Sequence, residues 1–314
     1  MRFQVLVNGG AGSVDETDEG GQVAAIEAAF EAAGAEATVE VVAPDRIQAT
    51  MRRIWDGEDR PDAIVIAGGD GTVNCAAGEA AGTDLVVGVL PLGTFNHFAK
   101  DLGLPTDLAG AAAALTAGEV RAVDVAEVNG RVFVNNSALG VYPEMVAIRD
   151  QIRDERGWGK VRAVPVAAYR TLRDFPLHRL DISGPGYDRH RVRTPFVFVG
   201  NGLFDNEAGG LVVRESLDDG ELGISVARVV SRWGLIRMAA RALVAGTSSA
   251  RDLDTAQLAE VTITTRAKRL RVALDGEVAW LGLPLRYRCR PGALQVLAPS
   301  PQPEPEVREA DPLS

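Results

Sequence analysis

Cysteine, aromatic residues and long hydrophobic runs are all scarce in this sequence. Only Cys75 and Cys289 occur among 314 residues, which excludes a disulfide framework and a four-ligand zinc site. Aromatic residues make up 5% of the chain, and no apolar run approaches the ~18 to 20 residues needed to span a bilayer. Positive charge is also in deficit, with a net charge of −10. We therefore expect no nucleic-acid partner, because Lys and Arg supply phosphate-backbone affinity.

The first residues of the sequence predict a strand rather than a secretion signal. Residues 1–7 lead directly into a strand pattern, without a basic region, an apolar core of signal length and a cleavage site. We expect a cytoplasmic protein, with any membrane contact peripheral and at the inner face of the membrane.

The composition that remains is that of a folded globular protein. Hydrophobic residues make up 46% and charged residues 24%, and 314 residues are enough for two cores. Over the first third, short β-branched runs alternate with Ala-rich stretches, which predicts a parallel sheet covered on both faces, a three-layer α/β nucleotide-binding domain at 1–120. The predicted strands are 3–7, 37–42, 63–67 and 85–90, and the predicted helices are 22–33, 46–55, 72–81, 95–102 and 108–117.

From about Val120 the pattern becomes one of strands separated by turns, which predicts a β-rich, sandwich-like domain at 121–284. A polar end rich in Pro and Glu, 299–314, is predicted to be a disordered tail. The predicted strands here are 121–128, 131–136, 177–183, 192–200, 222–229, 260–265 and 270–274, with helices at 142–175 and 231–243.

A glycine-rich loop follows the predicted strand 63–67. It reads Gly68, Gly69, Asp70, Gly71, Thr72, Val73 and Asn74. A helix start after a buried strand offers free N–H groups to anions, and glycine lets the backbone approach a polyphosphate closely. Thr72 can donate a hydroxyl, and Asp70 can hold a metal ion or a water. In the structural alternative, Asp70 merely caps the helix. Neither a Walker loop nor a strict G-x-G-x-x-G is present.

This loop resembles the nucleotide loop shared by diacylglycerol, sphingosine and ceramide kinases, NAD kinases and, more loosely, phosphofructokinases. A second motif is more discriminating: 90–103, LPLGTFNHFAKDLG, is similar to the PLGTGNDFAR stretch of the diacylglycerol kinase catalytic family. The resemblance implies a bacterial lipid kinase that uses ATP and Mg²⁺, with Thr94 at the nucleotide phosphates. Phe95 replaces the family's Gly, and His97 replaces an Asp of its metal and water network. His97 remains a catalytic candidate beside a purely structural interpretation.

The same resemblance implies further site residues. Residues 7–12 are similar to the family's first-strand NPxSG turn, which implies that Asn8 lies beside the nucleotide. Residues 197–202 and 217–222 are similar to second-domain segments, and 285–298 are expected to return to the first domain. The segment 217–222 implies a structural magnesium site, whose ligands are Ser216, Asp219 and the Glu221 carbonyl. An Asp-Gly β-turn without metal is the alternative.

The last motif is 274–277, LDGE. A kinase acting on an alcohol needs a carboxylate to accept the hydroxyl proton and negative charge to hold Mg²⁺. The resemblance implies that Asp275 is the general base and that Glu277 belongs to the magnesium network, with the two assignments exchangeable. A plain hairpin turn is the structural alternative.

Partners are less well defined by the sequence. Residues 145–194 hold 11 Lys or Arg against 6 Asp or Glu, a pattern that suits either anionic lipid headgroups or a solvated helix face. A membrane lipid substrate is expected. A kinase of a soluble metabolite such as NAD would leave 91–98 and 274–277 unexplained, and only His97 favours a non-catalytic lipid-binding regulator. The acceptor lipid and the presence of a homodimer stay open.

Overall fold

The computed structural model describes residues 1–10, 19–156, 160–206, 212–214, 216–245 and 252–300. The helices are α1 (Glu19–Ala32), α2 (Ile47–Trp55), α3 (Asp70–Ala80), α4 (His97–Asp101), α5 (Leu108–Thr116), α6 (Val141–Arg156), α7 (Lys160–Asp174) and α8 (Arg232–Ala245). The strands are β1 (Arg2–Asn8), β2 (Glu36–Val42), β3 (Ala63–Gly68), β4 (Val86–Pro91), β5 (Glu119–Val128), β6 (Arg131–Phe133), β7 (Asn136–Gly140), β8 (His178–Gly184), β9 (Tyr187–Thr194), β10 (Phe196–Asn201), β11 (Phe204–Asn206), β12 (Val212–Arg214), β13 (Leu222–Ala227), β14 (Leu253–Leu258), β15 (Glu260–Thr264), β16 (Arg269–Leu274), β17 (Glu277–Gly282) and β18 (Leu285–Ala298).

A mixed sheet runs through both halves of the chain, in the order β2-β1-β3-β4-β18-β15-β8-β9, with β5 paired to β18 and β6. Strands β1 to β4 are parallel. Every residue of β3 is buried, as expected for a parallel strand covered on both faces by helices. The predicted three-layer α/β domain is confirmed.

Strand β18 joins the two halves. It pairs in parallel with β4 through Gln295 and Val296 and antiparallel with β5 and β15, with a register shift between Arg290 and Leu294. The predicted break at 120/121 falls inside β5, whose ten residues lie along β18. The mixed sheet is therefore continuous across that position.

A second sheet, wholly antiparallel, has the order β14-β13-β10-β7-β16-β17. Its apolar side chains form a core with those of β5, β8, β15 and β18. In that core Phe133 meets Tyr287 edge to face at 6.3 Å, and the Tyr287 hydroxyl lies 3.0 Å from Ser137 Oγ. The sandwich-like second domain is confirmed.

Three predicted segments are divided in the structure. Residues 131–136 form β6 and the start of β7, with a bend at Val134 and Asn135. Residues 192–200 divide at Pro195, which has no N–H to continue a ladder. Residues 142–175 form α6 and α7. None of the helices in the described ranges is long and apolar enough to cross a membrane. The predicted tail lies outside the described residues from 301 onward.

Candidate functional site

The glycine-rich loop connects β3 to α3 and is held by hydrogen bonds. Gly69 precedes the helix, and its carbonyl accepts the N–H groups of Thr72 and Val73 at 2.9 and 3.1 Å. Asn8, at the end of β1, donates its amide to Thr72 Oγ1 at 2.7 Å. A Cβ on Gly68 would lie 2.9 Å from Thr72 Oγ1. The loop thus presents the first turn of α3 at the carboxyl ends of two neighbouring parallel strands.

The second motif packs directly on this loop. Gly93 approaches so closely that a Cβ there would overlap the Gly69 Cα atom. Asn96 holds this arrangement: its Oδ1 accepts the Gly93 N–H at 2.9 Å, and its Nδ2 donates to the Gly93 and Pro91 carbonyls. Asn96 is buried at a φ of 52°, a conformation that Asn tolerates better than most residues. Sequence reasoning did not single it out.

A cavity of about 720 Å³ opens where these elements meet. Of the predicted site residues it is lined by Asn8, Gly69, Asp70, Gly71, Thr72, Asn74, Thr94 and Glu277. Val73 instead points into the core, where it is 3% exposed. Cys75 also lines the cavity. The cavity brings together residues from the glycine-rich loop, the second motif and a turn about 200 residues further along the chain.

That turn joins β16 to β17 and consists of Asp275 and Gly276, both with positive φ, at 45° and 86°. Two central residues with positive φ are the requirement of a type I′ hairpin turn. The Asp275 carboxylate turns inward: Oδ2 accepts the Val134 N–H at 2.8 Å, and Oδ1 accepts those of Asn135 and Asn136 at 2.9 and 2.8 Å. The carboxylate therefore fixes the bend between β6 and β7.

Burial raises the pKa of Asp275 to about 6, although the three N–H donors and the Arg214 guanidinium lower it. Desolvation of the charged form therefore outweighs the donors that stabilise it. In the orientation that satisfies its hydrogen bonds, the Asn74 amide nitrogen donates to Asp275 Oδ2 at 3.0 Å. This contact joins α3 to the acid turn.

Glu277, the second acid of the turn, is exposed and lines the cavity. Its Oε1 lies 3.2 Å from the place where a Cβ on Gly71 would stand, so a side chain at position 71 would make the Glu277 carboxylate shift. With Asp70 and Thr72, it gives the cavity carboxylate and hydroxyl oxygens, the ligand type that Mg²⁺ prefers. These residues fit a nucleotide-bound magnesium ion.

His97 lies apart from the cavity lining. It is exposed and stacks on Phe95, with ring centroids 5.7 Å apart. Asp101, one turn later in α4, is an acid that the sequence analysis did not single out. Its pKa is raised, chiefly by burial and also by Asp70, although Arg214 and His97 act in the opposite direction. The catalytic role assigned to His97 stays a prediction that no contact with the cavity supports.

The segment proposed as a structural magnesium site forms a turn. Ser216 Oγ donates to Asp218 at 2.6 Å, Asp219 is exposed, and the Glu221 carbonyl accepts the Gly202 N–H at 3.1 Å. No group of three His, Cys, Asp or Glu side chains arranged for a metal is found in the part of the chain that the structure describes. A magnesium ion at this turn would have the Asp219 carboxylate and main-chain carbonyls as its ligands. This metal site stays a prediction.

The comparisons with known proteins agree with this architecture. The sequence matches the family model "Diacylglycerol kinase catalytic domain" over residues 2–128 and "YegS C-terminal NAD kinase beta sandwich-like domain" over residues 147–298. The chain belongs to the diacylglycerol kinase family of lipid kinases, in the group that carries a YegS-type C-terminal domain.

Named relatives give the same assignment, and a solved structure gives the same fold. A protein named "Probable lipid kinase YegS-like" from Pseudomonas syringae pv. tomato is 32% identical over 249 residues, which cover 76% of this chain and 77% of that one. The diacylglycerol kinase of Mycobacterium tuberculosis H37Rv is 29% identical over 247 residues, with the same coverage of 76% and 77%. A crystal structure of a Bacillus anthracis diacylglycerol kinase superposes with a TM-score of 0.68 at 24% identity, covering 95% and 96% of the two chains, which supports the fold.

Proposed function

We propose that the protein transfers the γ-phosphate of ATP to a primary hydroxyl of diacylglycerol or a similar amphiphilic lipid. The observation that carries this proposal is the packing of the acid turn on the glycine-rich loop. Glu277 reaches over Gly71, and Asn74 meets Asp275. The start of α3 and the Glu277 carboxylate thereby line one cavity, and the buried Asp275 carboxylate lies behind Asn74. This arrangement suits in-line transfer to an alcohol.

The nucleotide phosphates would lie over 69–72, because the N–H groups that precede Thr72 at the start of α3 have no carbonyl partner within the helix. Asp70 and Glu277 are the residues that would hold Mg²⁺. When bound, Mg²⁺ would offset the negative charge on the transferring phosphoryl oxygens.

Asp275 is assigned the role of general base. With a pKa of about 6, its carboxyl is ionised at neutral pH and still basic enough to accept a proton. Oδ2 accepts one main-chain N–H against two at Oδ1, and its second lone pair accepts the Asn74 amide. Rotation of that amide would free Oδ2 to take the hydroxyl proton. As the hydroxyl proton moves there, the lipid oxygen bonds to the γ-phosphorus and ADP leaves.

The lipid acceptor would place the protein at the cytoplasmic face of a membrane as a peripheral enzyme. A soluble acceptor is the second candidate, because the C-terminal family model is described by its likeness to the NAD kinase β-sandwich. A lipid-binding regulator without turnover rests only on His97.

The test incubates the full chain with labelled ATP, Mg²⁺ and a panel of lipids in mixed micelles, with NAD as a soluble acceptor in parallel. We expect a labelled lipid and no labelled NADP. Asp70→Asn is the inactive control, because it removes a carboxylate from the cavity while keeping its size. A labelled nucleotide product without any labelled lipid would replace the proposal by the soluble-acceptor alternative. No transfer to any acceptor would favour the regulator.

A further inference from the structure

One side of α8 and the residues just before it expose large apolar side chains. Trp233 is 75% exposed, Val230 55% and Ile236 39%, while Leu235 and Met238 on the other side are buried. Trp233 and Ile236 are three positions apart on α8 and are therefore neighbours on its surface, and Val230 lies two residues before the helix begins. A tryptophan this exposed has few contacts within its own chain.

The charge around these residues has one sign. Residues 222–250 contain four Arg and no Asp or Glu, in a chain of net charge −10. Arg232 and Arg237 are exposed beside Trp233 and Ile236. Neither Arg forms an ion pair within the described ranges, whereas Arg228 is paired with Asp254 at 3.3 Å. The surface therefore combines apolar side chains with cations that have no ion-pair partner among the described residues.

We propose that Val230, Arg232, Trp233, Ile236 and Arg237, the α8 face, dock the protein on an anionic lipid bilayer. Arg is attracted to the negative surface of the cytoplasmic leaflet, and a Trp flanked by Arg is suited to the headgroup boundary. The inference rests on the proposed function in one respect: a lipid substrate is what brings the protein to a bilayer. It assigns the contact to a surface other than 145–194.

Two observations favour this surface and this occupant. In 145–194, several cations are already paired: Arg149 with Asp150, Arg173 with Asp174, and Arg189 with Asp254. The basic surface expected there from the sequence is thus partly neutralised. A second copy of the chain fits the α8 face poorly, because a two-fold contact would bring the same arginines together.

The first measurement is co-sedimentation of the full chain with vesicles of phosphatidylglycerol and phosphatidylcholine, beside vesicles of phosphatidylcholine alone. We expect binding to the anionic vesicles and about tenfold weaker binding for both Trp233→Ser/Ile236→Ser and Arg232→Glu/Arg237→Glu. Two variants are matched controls. Tyr169→Ser removes an aromatic side chain that is 68% exposed on α7. Arg179→Glu/Arg193→Glu makes the same charge change at two exposed arginines paired across β8 and β9.

The second measurement compares phosphorylation of a water-soluble short-chain diacylglycerol with that of the same lipid class in vesicles. The α8 variants should retain the first activity and lose most of the second. Parent-like vesicle binding by both α8 variants would overturn the inference, as would an equal loss in the controls. A dimer that dissociates in Trp233→Ser, seen by sedimentation velocity, would assign the face to a second copy. A parent that binds vesicles but phosphorylates no lipid would contradict the proposed function and leave the docking surface supported.

Discussion

The buried Arg214 on β12 and the largely buried Asp101 on α4 form an ion pair, with Nη2 and Oδ2 3.1 Å apart. The same Nη2 donates to the Val134 carbonyl at 2.8 Å, and the Val134 N–H in turn donates to Asp275. The second nucleotide motif is thereby connected to the acid turn through one guanidinium. Its Nε and Nη1 have no hydrogen-bond partner among the residues described.

Asp101→Ala should destabilise the protein strongly, because it leaves the Arg214 charge buried without its counter-ion. Loss of one partner of a buried pair costs about 3 kcal/mol or more, whereas replacing both by apolar residues costs far less. We expect urea unfolding to show this loss for Asp101→Ala and a partial recovery for Asp101→Ala/Arg214→Met. If Asp101→Ala is as stable as the parent, the ion pair does not stabilise the fold.

Asp275→Asn should lower kcat/KM for lipid phosphorylation by about 10² to 10⁴, with ATP affinity little changed. The parent should lose activity below a midpoint near pH 6, the pKa of Asp275, and the variant should lack that limb. Glu277→Gln is the companion variant: if it abolishes the limb and Asp275→Asn does not, the roles are exchanged.

The same carboxyl makes stability depend on pH. Its folded pKa of about 6 lies above the ordinary 3.8, so in that interval the folded state binds more protons than the unfolded state. The contribution of Asp275 to the free energy of unfolding therefore falls as pH rises through this window and is constant above it. Urea titrations between about pH 4 and 7 should show a smaller fall for Asp275→Asn. Parallel curves for parent and variant would contradict the raised pKa.

Gly93→Ala should abolish ATP binding, since the added Cβ would overlap Gly69 and press on Asn96 Oδ1. The matched control is Gly78→Ala within α3, where the nearest atom to the new Cβ is Gln48 Nε2 at 3.6 Å. That change should be neutral or stabilise the protein by up to about 1 kcal/mol. Calorimetric ATP titration and thermal unfolding measure both effects, and normal ATP binding by Gly93→Ala would contradict the close contact between the two motifs.

ATP should protect Cys75 from alkylation, because Cys75 lines the cavity. Burial raises the pKa of the Cys75 thiol, with Glu277 adding to the effect, so labelling should be slow at neutral pH and faster above about pH 9. Cys289 is an internal control: it is buried, and its pKa is raised to about 12. The rate of alkylation by iodoacetamide is measured by peptide mass spectrometry. An alkylation rate of Cys75 that ATP leaves unchanged would contradict ATP binding in this cavity.

Mg²⁺ should raise the melting temperature of the parent if the turn at 216–221 holds a structural ion. Asp219→Ala removes the only side-chain carboxylate assigned to that ion, and its melting temperature should not respond. The scan is made without nucleotide, so that Mg²⁺ at the ATP site does not contribute. An equal response in both proteins would remove the metal assignment from this turn.

Local features of the sequence determined much of this architecture. The alternation of strands and helices, the two glycine motifs and the Asp-Gly turn each depend on residues within about ten positions of one another, where hydrophobic period and backbone preference act directly. The lipid kinase family followed from those same motifs, and the elements of the first third were predicted to within a few residues.

Only the tertiary structure decided which of these parts touch. The bend that divides β6 from β7 is held by Asp275, about 140 residues away, and β18 returns to β4 across about 200 residues. His97 was predicted to be catalytic because it departs from the family motif, whereas in the structure it is Asp101 that pairs with Arg214. Contacts of this kind leave no period in the sequence, because partners distant along the chain are selected by shape, burial and charge in the folded state.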